Sequence, residues 1–139
     1  MKAPDCGYCM RGELLAKFGI YICDLDVSTL ILFKEQSHPG RCIVAYKDHV
    51  SEIVNISDEE RNAYFADVNR AAKAIHAAFH PKKVNYGAYG DTGCHLHFHL
   101  VPKYEGEAEW GGVFAMNPDQ VYLTDAEYEE MIEKIKANL

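Results

Sequence analysis

The chain has 139 residues, 48% of them apolar and 25% charged, with a formal net charge of −7. That length suits one domain with a real core. The acidic balance argues against a nucleic-acid backbone partner, which calls for clustered lysine and arginine. No apolar run approaches the ~20 residues of a membrane span.

The N-terminal stretch "MKAPDCGYCM" has no signal-peptide apolar region, so a reduced, cytoplasmic protein is expected. Of five cysteines, Cys6 and Cys9 form a C-x-x-C pair within segment 5–10. In a reducing compartment this reads as a metal half-site or a redox pair rather than a structural disulfide.

"FGIYICDLDVSTLILFKEQ" holds two β-rich runs, about 19–23 and 29–34, with a turn over 24–28. "SHPGR" is a Pro-Gly turn and "RCIVAYK" a third strand. The close spacing predicts an antiparallel meander. In "ISDEERNAYFADVNRAAKAIHAAFHP", Ser57 precedes Glu60 by three residues, a capping box. Tyr64, Val68, Ala71, Ile75 and Ala78 follow at helical spacing until Pro81. "KKVNYGAYG" is a fourth strand, "GDTG" a turn and "CHLHFHLVPK" a fifth strand. Thr124 with Glu127 opens a terminal helix over about 124–138. The fold class is α+β: a single domain, 1–139, with an antiparallel sheet, one long helix between strands three and four, and a C-terminal helix.

The fifth strand carries the chemistry. Side chains alternate along a strand, so His95, His97 and His99 share one face, while Leu96, Phe98 and Leu100 anchor the other. A lone histidine there would be an ordinary surface residue. Three in register point either to a catalytic metal or to phosphate chemistry, with one imidazole as nucleophile and others as donors. Gly87, Gly90 and Gly93 with Thr92 come just before the row, and such turns bring backbone N–H groups to an anion. The combination favours phosphate.

"HLHFHLV" resembles the signature of the histidine triad (HIT) superfamily of nucleotide hydrolases and transferases. "HPGRCIVAYKDHVSEI" resembles that family's Pro-Gly turn, strand and basic-residue-His segment, and "DCGYCM" the C-x-x-C of its zinc-bearing members. The resemblance covers about positions 5–104. It implies a HIT-like fold and a homodimer. It implies that His97 attacks the α-phosphorus of a nucleotide, forming a nucleotidyl-histidine that water resolves to a monophosphate. His99 would bond phosphate oxygens and the leaving group. Asn85, Thr92 and Gly93 would complete the substrate contacts, and His95 would brace the nucleophile or bind zinc. By the same resemblance a structural zinc would sit among Cys6, Cys9, His49 and His95, with no organic cofactor. The substrates implied are dinucleoside polyphosphates or adenosine phosphoramidates, small nucleotides rather than nucleic acid or membrane.

The chain departs from the family pattern at Asp91, where many members carry Gln, and near the end of strand two. There "LFKEQ" offers Glu35 as a candidate for the ribose hydroxyls. Trp110, the single tryptophan, is expected to pack the C-terminal segment onto the sheet. A non-catalytic nucleotide-binding or scaffold protein of the same fold is the alternative, though a pure binder has no use for the middle imidazole. A metal-dependent hydrolase with three histidine ligands is a third reading, unsupported by any HExxH or carboxylate cluster.

Overall fold

Five strands pair antiparallel in the order β1-β2-β3-β5-β4. They are β1 (Gly19–Asp24), β2 (Ser28–Phe33), β3 (Cys42–Tyr46), β4 (Lys83–Gly87) and β5 (His97–Lys103). Two short helices, α1 (Gly7–Met10) and α2 (Gly12–Ala16), precede the sheet. The long helix α3 (Asp58–Phe79) joins β3 to β4, and α4 (Asp125–Lys136) ends the chain. The computed structural model describes residues 2–92 and 94–139. Gly93, expected in the phosphate cradle, lies outside the described residues.

The meander holds for β1 to β3, and β5 then inserts between β3 and β4. Every residue of β3 is buried, because this central strand is covered on both faces. One face carries Leu30, Leu32, Val44 and Leu100, packed on Tyr64, Val68, Ala71, Ala74 and Ile75 of α3. The alanines leave no bulk between helix and sheet, so a cavity-forming change such as Ile75→Ala would cost about 2–5 kcal/mol. The other face carries Ile31, Phe33, Ile43 and Ala45, covered by Leu15, Tyr8 and Phe18 of the N-terminal segment. Ala45 pairs with His97 and Ile43 with His99, so this second face is the histidine face.

Three acidic residues, Asp58, Glu59 and Glu60, occupy the first turn of α3 and complement its dipole. Ser57 caps it by accepting from the Glu60 N–H at 3.1 Å. The expected capping box is only half made. The Glu60 carboxylate accepts instead from the Tyr46 hydroxyl, tying the helix start to β3. At the far end His80 adopts a left-handed φ of 54° and returns its N–H to His76, which closes the helix before Pro81. Mid-helix, buried Asp67 accepts from the Val27 N–H at 2.8 Å and the Ser28 hydroxyl at 2.6 Å. One carboxylate thus holds the β1–β2 turn against α3. The box expected at Thr124 is complete, with Glu127 reaching back to the Thr124 N–H at 2.9 Å.

The fifth strand is shorter than its sequence pattern. His95 sits in a bend before it, because the Leu96 N–H bonds Val50 and the Leu96 carbonyl takes the Tyr46 N–H. Beyond β5, residues 113–117 lie against the histidine face and α4 then packs beside α3. Two anchors hold this return. Lys103, almost fully buried, donates to the carbonyls of Glu109 and Gly112 at 2.6 and 2.8 Å. Glu35 accepts from the N–H groups of Gln120 and Val121 at 2.9 and 2.8 Å.

Candidate functional site

The histidine face opens into a cavity of roughly 920 Å³. His97 and His99 form its floor, with Thr92 at one side and Tyr8, Phe33 and Phe114 as aromatic walls. Among the described residues no lysine or arginine lines it. An anion entering this cavity meets imidazoles, a hydroxyl and backbone, with the Asp5 and Asp91 carboxylates also in the lining, and no basic patch among the described residues.

Neighbouring groups fix the tautomers. His97 Nδ1 lies 2.7 Å from the carbonyl oxygen of His95. A carbonyl only accepts, so Nδ1 carries the proton and Nε2 keeps its lone pair. Burial lowers the pKa of His97, outweighing the opposing effect of that hydrogen bond, so the ring is neutral near pH 7. The Tyr8 ring stacks on it, centroids 4.8 Å apart and planes at 29°.

His99 is fixed in the opposite sense. Arg41 donates from Nη2 to His99 Nδ1 at 3.1 Å, leaving the proton on Nε2. Burial, then the Arg41 charge, then His97 push the His99 pKa down to about 3. The two imidazoles, 5.2 Å apart, therefore present complementary atoms: a lone pair on His97 and an N–H on His99.

His95 serves a different centre. Its Nε2–H donates to the Tyr46 carbonyl at 2.7 Å, so Nδ1 is unprotonated. That atom lies 3.2 Å from His49 Nδ1, 3.5 Å from Cys6 Sγ and 3.4 Å from Cys9 Sγ. Cys9 Sγ is 3.3 Å from His49 Nδ1, and all four ligand atoms lie within 4.8 Å of one another. The edges of a tetrahedron built on zinc–nitrogen and zinc–sulfur bonds are roughly 3.3–3.8 Å. The spacing fits such an ion, and the donor set is a closed one. The ligands come from α1 and its cap, the segment after β3, and the bend before β5, so a metal here would staple three parts of the chain.

The family model described as the HIT domain matches residues 19–106. The chain belongs to the HIT domain family. Beyond that model, "Protein hit" of Bacillus subtilis is 28% identical over 85 residues, which are 58% of this chain. The chain spans 59% of the length of that curated relative. A histidine triad protein from Sinorhizobium meliloti superposes with a TM-score of 0.84 at 22% identity, covering 92% of this chain and 95% of that one. A zinc-bound histidine triad family protein from Mycobacterium smegmatis superposes at 0.63 with 22% identity, covering 86% and 83%. At these identities the structural likeness establishes the HIT fold.

Within this HIT domain the sequence-based residues fall in three groups. His97, His99 and Thr92 line the cavity, and Cys6, Cys9, His49 and His95 form the second cluster, of which Cys6, His49 and His95 also border that cavity. Asn85 pairs with Val101 on β4, half-buried, and does not line the cavity; Asn117 does. Glu35, the candidate for the ribose hydroxyls, does not line the cavity. Its carboxylate is 4% exposed and spent on the Ser37 N–H, the Ser37 hydroxyl and two backbone donors of the C-terminal return. Trp110, 40% exposed, stands in the turn after β5, away from the cavity. Asp91 lies at the cavity wall.

Sequence reasoning missed Tyr8 and Arg41. Tyr8 lies between the two cysteines, where the metal motif drew attention to its neighbours. Arg41, in the turn motif "HPGR", carried no sign that it would be fully buried.

Proposed function

We propose that the protein is a nucleotide hydrolase or transferase that cleaves at the α-phosphate of a dinucleoside polyphosphate or an adenosine phosphoramidate. The observation that carries this reading is the His97 Nδ1–H···O=C bond to His95, which leaves Nε2 as a neutral nucleophile facing a cavity. With a dinucleoside polyphosphate, Nε2 attacks the α-phosphorus, a P–N bond forms, and the P–O bond to the remaining polyphosphate breaks. That polyphosphate leaves as an anion. The His99 Nε2–H donates to a non-bridging oxygen as charge gathers there. Water then attacks phosphorus, the P–N bond breaks, and nucleoside monophosphate and a proton depart. Thr92 and Gly93 are the proposed further contacts to the phosphate, and Asn117, which lines the cavity where Asn85 does not, is the proposed amide on the leaving side.

Cys6, Cys9, His49 and His95 would hold a zinc ion, and its contribution would be structural, since four protein ligands leave no open position. A bound zinc would fix the bend that presents the His95 carbonyl to His97. The zinc-bound relative from Mycobacterium smegmatis supports this assignment. We also propose that the protein works in the cytoplasm as a homodimer; β4 is an edge strand with one free hydrogen-bonding side for a second copy.

The test is turnover of a panel comprising adenosine phosphoramidate, diadenosine tri- and tetraphosphate, and nucleotide sugars. It is paired with acid-quench mass spectrometry for a nucleotidyl adduct on His97. Monophosphate release with an adduct that vanishes in His97→Gly supports the reading. Nucleotide binding without turnover of any panel member would assign the fold to a non-catalytic binder instead.

A further inference from the structure

Arg41 is fully buried, and its charge has no carboxylate beside it. The guanidinium lies between two aromatic rings, 4.1 Å from the Phe33 centroid and 5.1 Å from that of Phe114. Its hydrogen bonds go to the carbonyls of Ala115 and Met116, at 3.2 and 3.0 Å, and to His99 Nδ1. Among the described residues it forms no ion pair, and its Nε is the buried side-chain nitrogen left without any partner. The carboxylates whose field reaches it are occupied elsewhere: Glu109 pairs with His38 at 2.6 Å, and Glu35 holds the C-terminal backbone. Tyr8 is the third group in its field, and it lies on His97. Burying a cation without a counter-ion is costly, and a methionine of similar length would fill the same space without that cost.

We propose that Arg41 is a positioning residue that acts through His99: it locks His99 as the neutral Nδ1-acceptor, Nε2–H-donor tautomer and lends its positive charge, by way of that ring, to the phosphate bound in the cavity. This rests on the phosphate chemistry proposed above. A guanidinium carries no lone pair to accept with, so the atom of His99 that faces it cannot hold a proton. The proton is forced to the far nitrogen. Among the described residues the cavity lining supplies no lysine or arginine, and the adjoining charge reaches the anion along the chain Nη2–H···Nδ1, Nε2–H···O–P. An ammonium or a neutral residue at position 41 would lose the planar fork that holds the ring and two loop carbonyls together. The same arrangement keeps His99 from serving as a general acid. The groups facing it are Arg41, the residue before β3, and His97 from β5, and protonating it would set two cations in contact.

The experiment is ¹⁵N NMR of histidine-labelled protein, with kinetics on whichever panel substrate is turned over. In the wild type His99 is expected to show a protonated Nε2 and a bare Nδ1, with no titration from about pH 8 down to about pH 5. Adenosine monophosphate should move the Nε2–H resonance. In Arg41→Met the tautomers should mix and the ring should begin to titrate within that window. With substrate, kcat should fall about 100-fold while KM stays within about threefold. Arg41→Lys, still a donor-only cation, should keep part of the field and part of the tautomer preference but lose the planar fork that also holds the Ala115 and Met116 carbonyls. Trp110→Phe, in the turn after β5 and outside the cavity lining, should leave the His99 spectrum unchanged. A wild-type His99 protonated on Nδ1 would overturn the proposal whatever the variants do, as would an Arg41→Met spectrum identical to wild type. If the spectra behave as expected and no nucleotide is turned over, the tautomer lock stands and the proposed reaction falls.

Discussion

Tyr8 lies face to face with His97 at 4.8 Å and also within 5.3 Å of His95, so one phenol ring bridges the metal-type cluster and the proposed nucleophile. It is carried on α1 between Cys6 and Cys9, the two thiols of that cluster. Its position is thus set by whatever holds those thiols, and it transmits that order to the imidazole.

The stack between these rings is worth about 1 kcal/mol beyond the area it buries. Tyr8→Ala should therefore lower kcat/KM by roughly fivefold, while Tyr8→Phe keeps nearly all of it. Steady-state kinetics of the two variants side by side check this. Equal losses would show that the hydroxyl, not the ring face, matters.

Removing the metal ligands should act on the same ring from behind. Elemental analysis of protein purified without chelator should give near one zinc per chain. Cys6→Ser and His49→Ala should lose it and melt about 10 °C lower, as expected for 2–3 kcal/mol in a domain of this size. Metal-free wild-type protein with an unchanged melting temperature in Cys6→Ser would remove the site.

His97→Ala should abolish turnover, with kcat down by a factor of about 10³ or more, while nucleoside monophosphate binds within about tenfold of wild type. Loss of a nucleophile removes transition-state stabilisation rather than ground-state binding. Calorimetry with the monophosphate and single-turnover kinetics separate the two. Retention of a tenth of the wild-type kcat would move the nucleophile elsewhere.

Stability should fall on mild acidification. His99 is held down to about 3 in the folded chain, and His97 is lowered too, both chiefly by burial. The unfolded chain titrates these rings near 6.5, so below that pH it binds protons the folded state refuses. Stability is complete above about pH 6.5 and drops by about 1.4 kcal/mol per pH unit per histidine as pH falls toward the folded value. Melting temperatures between about pH 7.5 and about pH 5 check the slope, and His99→Gln should make it shallower. A flat profile would mean these rings protonate in place.

Much of this architecture was legible because it is periodic. The alternation from His95 to Leu100 put the imidazoles on one face, and α3 showed its buried stripe from Tyr64 to Ala78. What escaped was partner choice at long range. Ser57 and Glu60 have capping-box spacing, but the carboxylate turned to the Tyr46 hydroxyl, 14 residues away in sequence. Glu35 stands just past the end of β2, yet its lone pairs are taken by backbone some 85 residues later. Arg41 likewise meets His99 only because β3 lies beside β5. Spacing along a chain reports which face a side chain takes. It does not report what comes back to meet it.

The C-terminal return, hung from Lys103 at one end and Glu35 at the other, has an evolutionary reading. Between those fixings the chain contributes Phe114 and Asn117 to the cavity but no atom to the proposed covalent step. A loop suspended in this way can be lengthened or rewritten between its pegs while the imidazole pair stays where the strand put it. Substrate choice and chemical step are then separable traits, mutating on different stretches of sequence, and a grafted 105–117 segment should carry its own leaving-group preference to this scaffold.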